Sequence, residues 1–474
     1  MPLILVGVGI IILLILIVRF KWNAFFALLF TALAVGLLNG MNLMQVLDSI
    51  LGGIGDTLGK IILILVFGAM LGKLIEESGA AHTITYRLID LMGLRNVQFA
   101  ILITGFLVGL PMMYNASFLV LIPLIYTFST TARLPLMYLG IPLSASLSIA
   151  HGYLPPHPAP TYVSLVYEAN INQVLLIGLI PVIPACLLAG ILLSKFFKDL
   201  DVSPPEELYR AHEFKKEELP GLGRSILAAV TPVLLMLLGA VTDLVLGPPP
   251  PKSELASLGF NNVTGFYTEL LSERGLTDAA ASIWSSVITV IKFFSDANIA
   301  LLASVLIGIL TLGLRRGRKM EQVMKSLGNA AGSIAMIIMI IAAGGAFSQV
   351  LKDSQVNEFI MEKASGIEFN PLILAFSVAA VLRLAVGSAT VATMTAAPIM
   401  LPIAQQSGIS PELMVLATGS GSLMFSHFND IGFWMFKEYY NVSIKHTFMI
   451  WTVMESIVAL VGLGTVMILY ALGV

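Results

Sequence analysis

HGYLPPHPAP (residues 151–160) sets two histidines and four prolines inside ten residues. Apolar sequence flanks it, LPLMYLGIPLSASLSIA (134–150) before and INQVLLIGLIPVIPACLLAGILL (171–193) after. Proline removes a backbone donor and breaks a helix. The stretch therefore reads as a broken, titratable knot within otherwise membrane-like sequence. Of the 474 residues, 57% are hydrophobic and 11% charged, against roughly a quarter charged in a soluble domain. A spanning helix needs about 20 mostly apolar residues, and such runs recur along the whole chain. The expected fold is an all-α polytopic membrane protein forming one membrane domain over residues 1–474.

A net charge of −2 points to no nucleic-acid partner. The single cysteine, Cys186, has no internal disulfide partner and lies in an apolar run, where it packs as a small hydrophobe. Residues 2–18 lack a basic leader and a small-residue cleavage site, so they read as a retained first helix.

The halves match each other. Gly40 precedes Gln45, Val46 and Ser49; Gly317 precedes Gln322, Val323 and Ser326, 277 residues on. GAMLGKLIEESG (68–79) aligns with GGAFSQVLKDSQ (344–355) at an offset of 276. At that offset Pro135 meets Pro411, Ser144 meets Ser420, and His151 meets His427. Charge then orients the copies, because short cytoplasmic loops carry the Lys and Arg excess. No Lys or Arg lies between residue 40 and Lys60, whereas the matching stretch holds Arg315, Arg316, Arg318, Lys319 and Lys325. Corresponding points carry opposite signatures, as inverted repeats require.

The resulting path starts outside and gives about ten transmembrane helices and two re-entrant hairpins in two inverted repeats. The first repeat covers 23–200 and the second 298–474. Crossings fall at 2–19, 23–39, 57–75, 134–170, 172–197, 225–247, 298–314, 330–351, 411–440 and 447–472. Residues 97–130 form a cytoplasmic hairpin interrupted at Pro111–Ser117. Residues 371–406 form an external hairpin with its tip near Gly387–Thr390. A 199–224 loop, with Arg210, Lys215, Lys216 and Arg224, is cytoplasmic. A 248–297 loop beginning GPPPP is external, with a short surface helix over 282–296.

Broken backbone at membrane depth is tolerated only where protein or water satisfies it, and in carriers such breaks form substrate sites. Four are expected, at Pro111–Ser117, His151–Pro160, Gly387–Thr390 and His427–Gly432, converging near the midplane. Asn115 and Ser117 in one hairpin, and Gly387, Ser388 and Thr390 in the other, suit an anionic, hydroxyl-rich ligand, since close-set backbone amides favour anions. His151, His427 and Asn429 join them as substrate-binding candidates. Arg383 is costly at depth. It either forks onto a substrate carboxylate or forms an ion pair with a buried acid. His151, His157, Asp430 and Glu455 are coupling candidates, because histidine and buried carboxyls can exchange protons near neutral pH. Each has an alternative role in bracing a broken helix, and Asp430 as a cap for the next half-helix. No HExxH spacing appears, so no metal, cofactor or enzymatic chemistry is expected. A channel, which would neither saturate nor accumulate substrate, is a further rival.

At these residues the chain resembles the gluconate permease family, the gluconate:proton symporters of bacterial inner membranes. The resemblance rests on HGYLPPHPAP (151–160), VLRLAVGSATVA (381–392), SPELMVLATGSGS (410–422) and SHFNDIGFWMFKEYYN (426–441), and extends over essentially the whole chain. It implies a carrier for gluconate or a related sugar acid, driven by protons, with the bilayer and a gluconate-like anion as partners. Carriers of D-serine and other small hydroxy or amino acids are the alternative, and a homo-oligomer is left open. One departure stands out. In YNASFLVLIPL (114–124) the resemblance leads one to expect an acid and then a glycine where this chain has Asn115 and Ser117. Asparagine carries no proton, so either coupling runs through Glu455 or a histidine, or the substrate preference has shifted.

Overall fold

The computed structural model describes residues 8–9, 11–200, 202–205, 218–250, 252–354 and 369–474. Residues 2–7 of the expected first helix, Pro251, and Arg210, Lys215 and Lys216 of the expected 199–224 loop lie outside the described residues. The described elements are helical throughout.

After α1 (Ile15–Arg19) and α2 (Ala24–Leu38) comes α3 (Leu43–Ser78), a helix of 36 residues. Its start is set by a capping box in which Asn42 and Gln45 satisfy each other's backbone amides. Gly79, with φ 75°, ends it. The crossing expected at 57–75 is thus the second half of a longer helix. The turn after α3 leads into α4 (Ala80–Met92), which sequence reading placed nowhere, and α4 meets the next helix at 112°.

Two helix pairs follow the hairpin pattern. They are α5 (Val97–Gly109) with α6 (Tyr114–Thr131), and α16 (Pro371–Val386) with α17 (Ala389–Gln406). The first break spans only residues 110–113, so Asn115 and Ser117 sit in the first turn of α6 rather than in an irregular tip. The 151–160 knot is also narrower than expected. Helix α7 (Leu136–Tyr153) carries His151 in its last turn, and α8 (Pro158–Val166) begins with proline at its first position, where no donor is needed. The corresponding second break is wider, because α18 (Pro411–Gly421) ends well before α19 (Ile431–Tyr439).

The remaining helices of more than one turn are α9 (Ile171–Phe196), α10 (Leu222–Leu246), α11 (Val263–Glu273), α12 (Asp278–Ser295), α13 (Ala297–Arg316), α14 (Met320–Ser333), α15 (Ala335–Asp353) and α20 (Ile444–Ala471). The surface helix expected at 282–296 is α12, longer than anticipated and paired with α11. Helix α14 occupies sequence expected to be loop up to residue 329, and its last four residues fall within the crossing expected at 330–351, most of which is α15. Among the described residues six helices are long and apolar enough to cross a bilayer: α3, α9, α10, α13, α15 and α20. Leu234 and Leu244 on α10, Leu310 on α13 and Ile468 on α20 are more than half exposed, a surface suited to lipid.

Helices α2, α13, α14 and α15 pack on α3, while α5, α7, α8, α16, α17 and α18 pack on one another. Where α3 crosses α15 the backbones nearly touch: a Cβ on Gly345 would lie 2.6 Å from the Gly53 carbonyl and 2.1 Å from Thr57 Oγ1. Two hydrogen bonds flank this crossing. Ser49 Oγ donates to Asp353 at 2.6 Å, and Ser326 Oγ donates to Glu77 at 2.6 Å. Arg318 (2.9 Å) and Lys73 (3.6 Å) also pair with Glu77, whereas Asp353 accepts from Gln349. Gly345→Val should overpack the crossing, which typically costs about 1–3 kcal/mol, and lower the thermal midpoint in detergent. An unchanged midpoint would contradict the close approach.

Candidate functional site

Three of the four breaks meet around Arg383, and the first lies beside them. Arg383 lies in the last turn of α16 and is 3% exposed. One terminal nitrogen donates to the carbonyl of Gly387 and the other to Asp430 Oδ2 at 2.5 Å, while Nε has no partner. Gly387 ends α16 with φ 82°, a left-handed conformation natural to glycine. Its Cα has Asn429 against it, so no side chain fits there. Ser388 caps α17 through Val391 N at 3.3 Å.

Asp430 is the most heavily bonded acid in the cluster. Its Oδ1 caps α19 through Gly432 N at 2.9 Å, while Oδ2 takes Arg383 and the Ser426 hydroxyl, the latter at 2.5 Å. Trp451 Nε1 donates to Ser426 Oγ at 2.7 Å, and Thr452 Oγ1 to Ser426 O at 2.6 Å. Both alternatives weighed from sequence for this pair are therefore present: Arg383 has an acid partner, and that acid is a helix cap. Asn429, exposed, donates to Leu384 O at 2.8 Å and ties the same loop to α16.

His151 reaches from α7 to the second hairpin, with Nε2 3.4 Å from Thr390 Oγ1. Its ring meets that of His157 edge-on at 5.1 Å. His157, 3% exposed, has the Gly109 backbone as a partner, which brings in the first hairpin. Between Pro111–Met113, His157, α3 and Ile334 lies a cavity of about 30 Å³. His151 Nδ1, His157 Nε2 and His427 Nδ1 are buried without partners. Unsatisfied buried polar atoms are uncommon and call for an explanation such as a ligand or water.

Glu455, at the start of the α-helical part of α20, is 1% exposed. Ser148 on α7 faces its carboxyl, with Arg383 and Asp430 in electrostatic range, and Oε1 has no partner. Ser117 is buried with its hydroxyl unpartnered. Asn115 is exposed, while Tyr114 and Phe118 on the same helix are buried and stacked. The structure thus gathers His151, His157, Arg383, Gly387, Thr390, Asn429, Asp430 and Glu455, and leaves Asn115 outside the buried cluster. Sequence reading missed Ser426, Trp451 and Ser148. The only available signal was a serine directly before the His427 motif and an indole N–H inside an apolar run. Among the described residues no three His, Cys, Asp or Glu side chains group as metal ligands.

Long apolar helices, paired hairpins and helix ends converging on a buried arginine define a multi-pass membrane transporter. The fold matches the solved structure of the Neisseria gonorrhoeae antimetabolite efflux pump MtrF (TM-score 0.62, 14% identity, 94% of each chain). It also matches the Alcanivorax borkumensis YdaH transporter (TM-score 0.59, 17% identity, 91% of this chain and 89% of that one). Residues 1–472 match the GntP family permease model, and the chain belongs to that family. It is 43% identical to the Gnt-II system L-idonate transporter and 42% to a high-affinity gluconate transporter, both of Escherichia coli, over 98% of each chain. It is 38% identical to the gluconate permease of Bacillus licheniformis over 99% of each. A bacterial inner membrane is in keeping with this membership.

Proposed function

We propose that this permease imports gluconate or a closely related sugar acid together with protons. The observation that carries the reading is Arg383, buried among broken helix ends with Nε unpartnered. A guanidinium there neutralises a substrate carboxylate. Thr390, His151 and Ser117 supply hydroxyl and imidazole groups for a polyol chain. The cavity beside His157 holds little more than water, so a sugar acid enters only when the surrounding elements separate. The names borne by the relatives favour sugar acids over D-serine.

We further read the chain as two inverted repeats. Ser49 and Ser326, 277 apart, each bond the acid that the other copy contributes, Asp353 and Glu77, 276 apart. Reciprocal bonds of this kind suit a two-fold axis through the α3–α15 crossing. The positions that match Arg318 and Lys73 hold Met41 and Gln349. At the Glu77 end an arginine and a lysine pair with the acid, and the charge rule makes that end cytoplasmic.

The test is uptake of labelled gluconate into proteoliposomes under an imposed inward proton gradient, with L-idonate and D-serine as competitors. Uphill, gradient-dependent uptake blocked by L-idonate is expected. Uptake indifferent to the gradient would reject symport. Competition by D-serine alone would move the substrate to the amino-acid class.

A further inference from the structure

We propose that Glu455 is the residue that carries the coupling proton; the inference rests on the symport reading above. Four groups were open to that role, and the geometry separates them. His151 is engaged with Thr390 and abuts His157, with the Arg383 guanidinium nearby. Asp430 faces His151 as well, but that carboxylate is already engaged by Arg383. His157 is tied to the Gly109 backbone and set edge-on against His151. Asp430 is held by three donors, Arg383, Ser426 and the Gly432 amide, and protonating it would give up the ion pair with Arg383, stranding that cation.

Glu455 differs on each count. It is 1% exposed, has one carboxyl oxygen without a partner, and faces the Ser148 hydroxyl. The titratable groups that face it are Arg383, Asp430, Tyr114 and Tyr153. Arg383 is the one cation among them, and Asp430 already offsets its charge. A carboxylate at Glu455 would be uncompensated, and buried charge without a partner is strongly unfavourable. The neutral acid fits the closed arrangement. Glu455 also lies three residues after a π-helical turn, Phe448–Thr452. Such turns occur frequently at functional sites, and this one is bonded through Trp451 to the Ser426 hydroxyl that also donates to Asp430, and through Thr452 to the Ser426 carbonyl.

The charge count then gives coupling. With Arg383 and Asp430 opposed, a monoanionic substrate brings the site to −1 when Glu455 is protonated and to −2 when it is not. Anion and proton therefore favour each other's binding, and the effect is reciprocal. The proton adds to a carboxylate oxygen of Glu455 from the external side and leaves from it to the cytoplasm, with no other bond changed.

The experiment compares wild type and Glu455→Gln in proteoliposomes, reading gradient-driven accumulation, counterflow exchange and substrate affinity against pH. Wild-type affinity should weaken about tenfold or more as pH rises through the carboxyl's titration, in the range of typical couplings. Glu455→Gln should still exchange substrate, at reduced rate, with pH-independent affinity and no accumulation against a gradient. Full proton-driven accumulation by that variant overturns the assignment. If it fails to reach the membrane, Glu455→Asp replaces it. That variant should stay coupled with a displaced pH midpoint, and an unmoved midpoint overturns the assignment equally. A wild type without proton-driven uptake rejects the symport reading itself, a result distinct from either variant's behaviour.

Discussion

Arg383→Ala should reduce uptake at least a hundredfold while the protein still accumulates in the membrane. The side chain bridges the end of α16 to the cap of α19 through Gly387 and Asp430. Removing it leaves the Asp430 carboxylate largely buried, with its cation gone. Losing one partner of a buried pair costs about 3–5 kcal/mol, and here that cost falls on the site rather than on the α2–α3–α13–α15 frame. Loss of uptake alone does not separate a structural pair from a substrate contact, but a second variant does. In Arg383→Ala with Asp430→Asn no charge is left stranded. If the arginine only neutralises Asp430, the double variant regains uptake. If it also receives the substrate carboxylate, the double variant stays inactive. Arg383→Lys should fall between, because an ammonium keeps the charge and loses the planar fork. Full uptake by Arg383→Ala would remove it from the site.

What was legible from sequence followed from chemistry that does not depend on distant neighbours. Prolines and glycines mark broken backbone whatever surrounds them, so the knots at 151–160 and 427–432 and the turn at Gly387 stood out. Their exact limits did not. His151 to Tyr153 remain helical because the bonds of the preceding turn hold them, and only Leu154 to His157 leave the helix. The opposite error occurred in α3. Gly52, Gly53, Gly55 and Asp56 read as loop, yet they lie within a continuous helix. Glycine's backbone-entropy cost is outweighed there by a continuous hydrogen-bond ladder, and Gly53 is required by its contact with Gly345. Helix α4 was missed because His82, Thr83, Thr85, Arg87 and Asp90 hide it from a search for apolar runs. In the site, single polar residues in apolar sequence could be named, but their pairing could not. Nothing local tells Asp430 that Arg383, 47 residues earlier, is its partner. Nothing local tells Glu455 that it faces Ser148 from another helix. Asn115, named as a substrate-binding candidate from its place at a helix break, is exposed in the first turn of α6, and nothing in its local sequence says which way that turn faces it.

Gly387→Ala should cost roughly a hundredfold in uptake, although it adds a single methyl group. Two penalties coincide at this position. The backbone lies at φ 82°, and a left-handed conformation costs an L-residue about 1–2 kcal/mol. The new Cβ would also lie 2.2 Å from the Asn429 carbonyl oxygen, a backbone atom that no side-chain rotation can move aside. Either the hairpin tip or the 427–430 loop must therefore shift. Both hold Arg383, one through the Gly387 carbonyl and the other through Asp430, so the guanidinium loses its geometry whichever moves. Misplacing a binding group by about 1 Å is enough for losses of this size. Gly59→Ala is the control. It lies in α3 with open space around the position a Cβ would take and no positive φ, and its uptake should stay within about twofold of wild type, as expected for a change that touches nothing. Equal losses in both variants would mean that glycine matters here for general helix behaviour. A loss confined to Gly387→Ala, with normal protein in the membrane, would tie transport to the close contact between the second hairpin and the second broken helix, where the arginine and its acid meet.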